Sequence, residues 1–135
     1  ALVDAGYAAF LGSQYGAARK FLDRALESLR RGGAATIETG RCRLRWLEND
    51  FLVGDSARTL AGCDELRTTP GLEEEQTFLA EIEHMRGRAL TDLKRHEEAQ
   101  TSFEAALEVF RTHRMRDFEV DILSFLMMRM GVSPS

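Results

Sequence analysis

Apolar side chains recur along this chain at intervals of three and four, the spacing of one face of an α-helix. Ala18, Phe21, Leu22, Ala25, Leu26 and Leu29 predict a helix over 15–31. Arg30 and Arg31 suit the C-terminal end of its dipole, and Gly32-Gly33 ends it. Upstream, Leu2, Tyr7, Phe10 and Leu11 mark a helix over 2–11, followed by a tight turn at Gly12, Ser13 and Gly16. A third helix, 36–52, carries Ile37, Leu44, Trp46, Leu47 and Phe51 interleaved with Arg41, Arg43 and Arg45. Gly54-Asp55 breaks it, and Asp55 can cap a fourth helix over 56–67. Thr68-Thr69-Pro70-Gly71 is a loop. A fifth helix follows over 72–93, with Glu73, Glu74 and Glu75 in a first turn that favours anions. Short turns at 94–96 and 114–116 separate it from a sixth helix, 97–112, and a seventh, 117–130. The seventh is apolar nearly all round, which requires burial on several sides.

Within the helices a second, longer spacing recurs. Gly87 is followed after twelve positions by Ala99, after four more by Phe103 and after three more by Ala106. Gly6, Ala18, Leu22 and Ala25 repeat that series. Arg45, Ala57, Ala61 and Asp64 repeat it loosely. Two antiparallel helices approach closely only where one is small, and a large apolar residue then fills the seam. The spacing therefore predicts stacked helical hairpins.

These residues resemble a tetratricopeptide repeat, whose two helices carry small, small, large and small residues at those positions. The resemblance implies an all-α fold of antiparallel hairpins stacked as a right-handed superhelix of about seven helices. Repeats would span about 1–33, 34–69 and 70–113, with an extra helix over 115–131. The signature Trp of the first helix is absent from its usual place. Gly6 to Arg45 is 39 positions and Arg45 to Gly87 is 42, longer than the common repeat of about 34. That period is similar to the extended repeats of bacterial regulators of the maltose-activator type, which couple an ATPase to a helical sensor.

Of the 135 residues, 44% are hydrophobic and 30% charged, a globular balance sufficient for one continuous core. The net charge of −4 argues against a general nucleic-acid surface. No apolar run is long enough to span a membrane, and no basic start precedes an apolar core as in a signal peptide, so a cytoplasmic protein is expected. The chain starts at Ala1 inside an apparent helix and reads as a piece of a longer protein. Abundant Ala, Arg and Leu with little Lys suggest a GC-rich bacterial source. Cys42 and Cys63 fall on different helices and are expected as reduced thiols.

The resemblance also places ligand contacts on the first helix of each hairpin. It transfers them to Asp4, Tyr7 and Phe10; to Thr39, Cys42, Arg43, Trp46, Asn49 and Asp50; and to Glu81, His84, Met85, Arg88, Thr91 and Asp92. The leading groove candidates are Asp4, Tyr7, Arg43, Trp46, Asn49, His84, Arg88 and Asp92. Tyr, Trp and Arg are residue types that commonly carry binding energy. Trp46 serves equally as core between repeats, and Arg43 and Arg88 serve equally as solvated surface. The Lys and Asn clamp that chaperone-binding members of the family close on a C-terminal carboxylate has no counterpart, since this groove has no Lys and only Asn49. Glu81-x-x-His84 has the spacing of a di-iron ligand pair, but no second such pair occurs. No metal, cofactor or catalytic chemistry is expected. The expected function is binding of a protein or peptide partner, which includes other domains of the parent protein. The alternative is an effector-sensing segment of a bacterial signal-transducing ATPase or transcription regulator. Phe125 and Met128 on the Met-rich last helix are candidates for a homodimer interface.

Overall fold

The structure is a computed structural model that describes residues 15–32 and 36–129. It contains six α-helices among the described residues: α1 (Tyr15–Arg31), α2 (Thr36–Leu52), α3 (Ser56–Arg67), α4 (Gln76–Asp92), α5 (His96–Thr112) and α6 (Arg116–Arg129). Each packs against the next, and α2 also touches α4. The arrangement is a stack of helical hairpins. The helix expected over 2–11, with Asp4 and Tyr7, lies outside the described residues.

The first residues of α2, α4 and α6 are Thr36, Gln76 and Arg116, and those of α3 and α5 are Ser56 and His96. Both series advance by forty positions. The connections explain why the frame holds. Val53-Gly54-Asp55, Leu93-Lys94-Arg95 and His113-Arg114-Met115 are three copies of one turn. In each, the third residue's N–H bonds a carbonyl five residues back (Asp55 to Asp50, Arg95 to Leu90, Met115 to Phe110), all at 2.9 Å. In each, the middle residue has positive φ: 94° at Gly54, 64° at Lys94 and 56° at Arg114. This left-handed residue with its back-bonded follower closes the preceding helix and reverses the chain within three residues. Asp55 then accepts from the N–H of Arg58 and caps α3 as expected.

The connection from α3 to α4 is different. Thr68 and Thr69 turn their hydroxyls back to the carbonyl of Glu65. Gly71 takes φ 96°, and Leu72 is buried against Leu66, Phe78 and Ile82. Glu73 accepts from the N–H of Gly71 at 2.9 Å. Burying Leu72 anchors the loop and delays the helix to Gln76. The three glutamates therefore precede α4, a correction to their expected place in its first turn.

The core divides into three clusters, each shared by neighbouring helices. Leu22, Ala25, Leu26 and Cys42 join α1 to α2. Leu47, Cys63, Leu66, Phe78, Ile82 and Met85 join α2, α3 and α4. Leu90, Ala99, Phe103, Ala106, Phe110 and Ile122 tie α4, α5 and α6 together. Such nearest-neighbour cores are characteristic of helical repeat folds. Cys42 and Cys63 are free, buried and in separate clusters. Burial pushes the Cys63 thiol up to about 12.

Ala18, Leu22 and Ala25 are buried as their series requires, and so are Gly87, Ala99, Phe103 and Ala106. The middle series is corrected. Ala57, Ala61 and Asp64 are exposed; the residues in their places are Thr59, Cys63 and Leu66, all buried, with Leu47 in place of Arg45. The register shifts by two because the size pairing is inverted. At the α4–α5 seam a small residue on the first helix, Gly87, faces Phe103 on the second. At the α2–α3 seam a large one, Leu47, faces Gly62. Either arrangement permits close approach.

Candidate functional site

The forty-residue frame stacks equivalent residues of α2, α4 and α6. Cys42, Ile82 and Ile122 are such a set, and all three are buried. Turned away from them along the same helices are Arg41, Glu81 and Asp121, and further along Glu48, Arg88 and Met128. These define one face running across three helices: Arg41 gives way to the acids Glu81 and Asp121, and Glu48 to Arg88 and then Met128.

Between α2 and α4 the face holds a depression of about 90 Å³ lined by Arg41, Leu44, Arg45, Glu48, Phe78 and Glu81. Arg41 lies 3.8 Å from the Glu81 carboxylate and 5.4 Å over the Phe78 ring. Arg88 lies 4.8 Å over the Phe51 ring. A guanidinium is weakly hydrated and planar, so it rests on an aromatic face and keeps its in-plane donors for other partners. Burial raises the pKa of Glu48 above the usual carboxylate value, against the pull of Arg88 and Arg45. Burial likewise raises Glu81, against Arg41 and Arg45 and aided by Glu48. Two partly dehydrated carboxylates thus sit among arginines. The arrangement offers alternating acceptors and donors, which suits a chain of amides and charged side chains.

A second hollow lies at the other end of the face. It measures about 240 Å³, is mainly apolar, and is lined from α4, α5 and α6 by Thr91, His96, Ala99, Gln100, Phe103, Phe125, Leu126 and Met128.

His84 stands between α4 and α6. It is 8% exposed and makes an edge contact with Phe118 at 5.4 Å. Its Nε2 lies 2.5 Å from the Asp121 carboxylate. A carboxylate only accepts, so Nε2 carries the proton. Burial lowers the His84 pKa, outweighing the hydrogen bond and charge of Asp121, which raise it.

The expected groove residues fall in several places. Arg88 is on the face. His84 is buried beneath it and committed to Asp121. Asp92 is exposed at the end of α4 and accepts from the Ser56 hydroxyl, which ties α4 to the start of α3. Arg43 points the other way, 4.0 Å from Glu65 of α3. Trp46 packs on the α1–α2 cluster under Arg19, at 5.4 Å. Asn49 and Asp50 are both 1% exposed, and burial raises the Asp50 pKa. Arg43, Trp46 and Asn49 are corrected as face residues for one reason: the middle register was two positions off, which rotates α2 by more than half a turn. The residues missed were Arg41, Leu44, Arg45, Glu48 and Phe51. Matching the Gly54 turn to the Lys94 turn would have found them. Phe125 and Met128 line the apolar hollow, where Phe125 stacks on Phe103 with centroids 5.0 Å apart. Among the described residues no cluster of three metal-ligating side chains forms, and no helix is long and apolar enough to cross a membrane.

Searches against family models, curated proteins and solved structures return no match for this chain.

Proposed function

We propose that the protein is a tetratricopeptide-type scaffold that binds an extended segment of a partner polypeptide across the face of α2, α4 and α6. One observation carries this reading. Residues that the frame makes equivalent are alike where they form core, as in Cys42, Ile82 and Ile122, but unlike on the face. There the cation Arg41 is followed by the acids Glu81 and Asp121, with half-buried arginines and partly dehydrated carboxylates around a depression. Partial burial of charge is costly. A partner that completes the hydrogen bonds of Arg41, Glu48, Glu81 and Arg88 would offset that cost. The reading is of a binding module, with a protein or peptide as its ligand.

The test is selection of a displayed random-peptide library on the protein, followed by affinity measurement on variants. The double variant Arg41→Glu, Arg88→Glu should lose the selected peptides. Glu108→Arg, an exposed change on α5, should keep them. Failure to enrich any peptide, or equal binding by the double variant, would overturn the reading.

A further inference from the structure

Two side-chain hydrogen bonds join α6 to other helices among the described residues. Arg111 of α5 donates to Glu119 at 3.2 Å, in a pair open enough to solvent to contribute little. Nε2 of His84 donates to Asp121 at 2.5 Å and is the polar tie from α4 to α6. The imidazole is buried among rings. Phe103 and Phe110 of α5 and Phe118 of α6 lie beside it, with centroids 6.2, 6.5 and 5.4 Å away. Phe118 in turn stacks on Phe110 at 4.5 Å.

A neutral imidazole suits this place, because its one proton reaches the carboxylate. A second proton, on Nδ1, would make a dehydrated cation beside rings that offer it no oxygen acceptor. The charged groups acting on the ring are Asp121 from α6, which favours that cation, and Arg88 from α4, which opposes it; α5 presents Phe103 and Phe110. Dehydration outweighs Asp121, so the closed step resists the proton.

The frame shows that this tie belongs to one step of the stack. Forty positions before His84 and Asp121 stand Leu44 and Glu81. Those two line the α2–α4 depression, where Glu81 has Arg41 at 3.8 Å as its cation. Arginine keeps its charge at any working pH. At the α4–α6 step the acid is instead held by an imidazole, which titrates.

We infer that the His84–Asp121 hydrogen bond is a pH-sensitive catch: it holds α6 against α4 at neutral pH, and uptake of a proton by His84 releases α6 while the stack of α2, α3 and α4 stays closed. An exposed histidine takes up its proton at about pH 6.5. The open step accepts that proton and the closed step resists it, so opening is favoured as pH falls below that value. Cores shared only between neighbouring helices let one end of the stack open without the rest. Release also alters the face, because Asp121 is one of its residues. The catch does not rest on a peptide binding there.

The test is hydrogen exchange of the full chain, read residue by residue by NMR at about pH 7.5 and about pH 5, either side of the ordinary histidine value, with protection factors corrected for the intrinsic exchange rate. On acidification the α6 amides, Ile122 among them, should lose protection, while α3 amides such as Cys63 keep theirs. The His84 imidazole, followed in the same samples, should titrate below its ordinary value. His84→Leu installs the residue of the upstream repeat, and His84→Gln keeps a donor for Asp121. Neither side chain takes up a proton, so in both variants α6 should keep its protection at the lower pH. Two variants keep the test decisive if one of them packs poorly. No loss of α6 protection in wild type, equal loss in wild type and the folded variants, or uniform loss across α3 and α6 would overturn the catch.

Discussion

Gly87→Ala tests the close helix contact at the α4–α5 seam. A Cβ at Gly87 would stand 2.7, 2.8 and 2.9 Å from three ring atoms of Phe103. That ring cannot swing aside freely, because it is 2% exposed and stacked on Phe125. Two effects compete. Alanine in a helix interior is favoured over glycine by about 1 kcal/mol. Forcing a methyl into a packed seam costs about 1–3 kcal/mol. The clash wins on average, so the variant should be about 1 kcal/mol less stable, with Tm lower by roughly 3–5 °C for a chain of this length. Phe103→Leu removes the obstructing edge. In that background only the propensity gain remains, and Gly87→Ala should stabilise by about 1 kcal/mol. The coupling between the two sites is then about 2 kcal/mol, within the range seen for residues in contact. Urea unfolding of all four proteins, followed by circular dichroism with m-values compared, measures it. The contact is refuted if Gly87→Ala has the same effect, within about 0.5 kcal/mol, in both backgrounds.

The repeated turn makes opposite predictions at its three copies. Lys94→Gly and Arg114→Gly relieve side chains held at positive φ and should each stabilise by up to about 1 kcal/mol, whereas Gly54→Ala should destabilise by a similar amount, all read from thermal melts. His84 predicts a pH effect. Its folded pKa is depressed, so below the unfolded value of about 6.5 the unfolded chain binds a proton that the folded chain resists, and stability falls as pH drops through that window. Urea midpoints between pH 7 and pH 5 should fall more steeply for wild type than for His84→Gln; parallel slopes would show that His84 does not titrate this way. The buried carboxylates Glu48, Glu81 and Asp50 act in both proteins alike and cancel in that difference. Cys63, fully buried and with its thiol raised to about 12, should resist alkylation under native conditions and react only as the chain unfolds, which thiol-modification mass spectrometry would follow.

Hairpin architecture was legible because apolar periodicity and turn residues agreed. Ala18, Leu22 and Ala25 stand out as a stripe, and Gly54-Asp55 and Pro70-Gly71 are local signals that tertiary structure did not override. The middle repeat was misread for a physical reason. A search for a small residue on the first helix assumes that the first helix always yields space, and at the α2–α3 seam Gly62 on the second helix yields it instead. Arg45 and Ala57 then matched a spacing rule while lying off the seam. The same two-residue error carried Arg43, Trp46 and Asn49 onto the face and left Arg41 and Glu48 out. The acidic run at 73–75 misled for a different reason: its charges fit a helix start, but burial of Leu72 holds the chain in a loop until Gln76.

The frame of forty residues bears on how such a face acquires specificity. Core positions in a nearest-neighbour stack must suit only the helices beside them, and all repeats face the same requirement, so Cys42, Ile82 and Ile122 converge on small or branched apolar groups. Face positions also interact in sequence, but through charge, where likeness is penalised. Three arginines at 41, 81 and 121 would repel one another across adjacent helices, whereas Arg41 beside Glu81 attracts at 3.8 Å. The opposite charges of Arg41 and Glu81 favour the α2–α4 step, and one cation followed by the two acids Glu81 and Asp121 makes the pattern along the face asymmetric. Swapping the pair by Arg41→Glu with Glu81→Arg keeps that attraction and should preserve stability. It should nevertheless abolish binding of any peptide selected on the wild-type protein, because the order of donors and acceptors along the face is reversed. Retained binding would mean that the charges serve the stack alone.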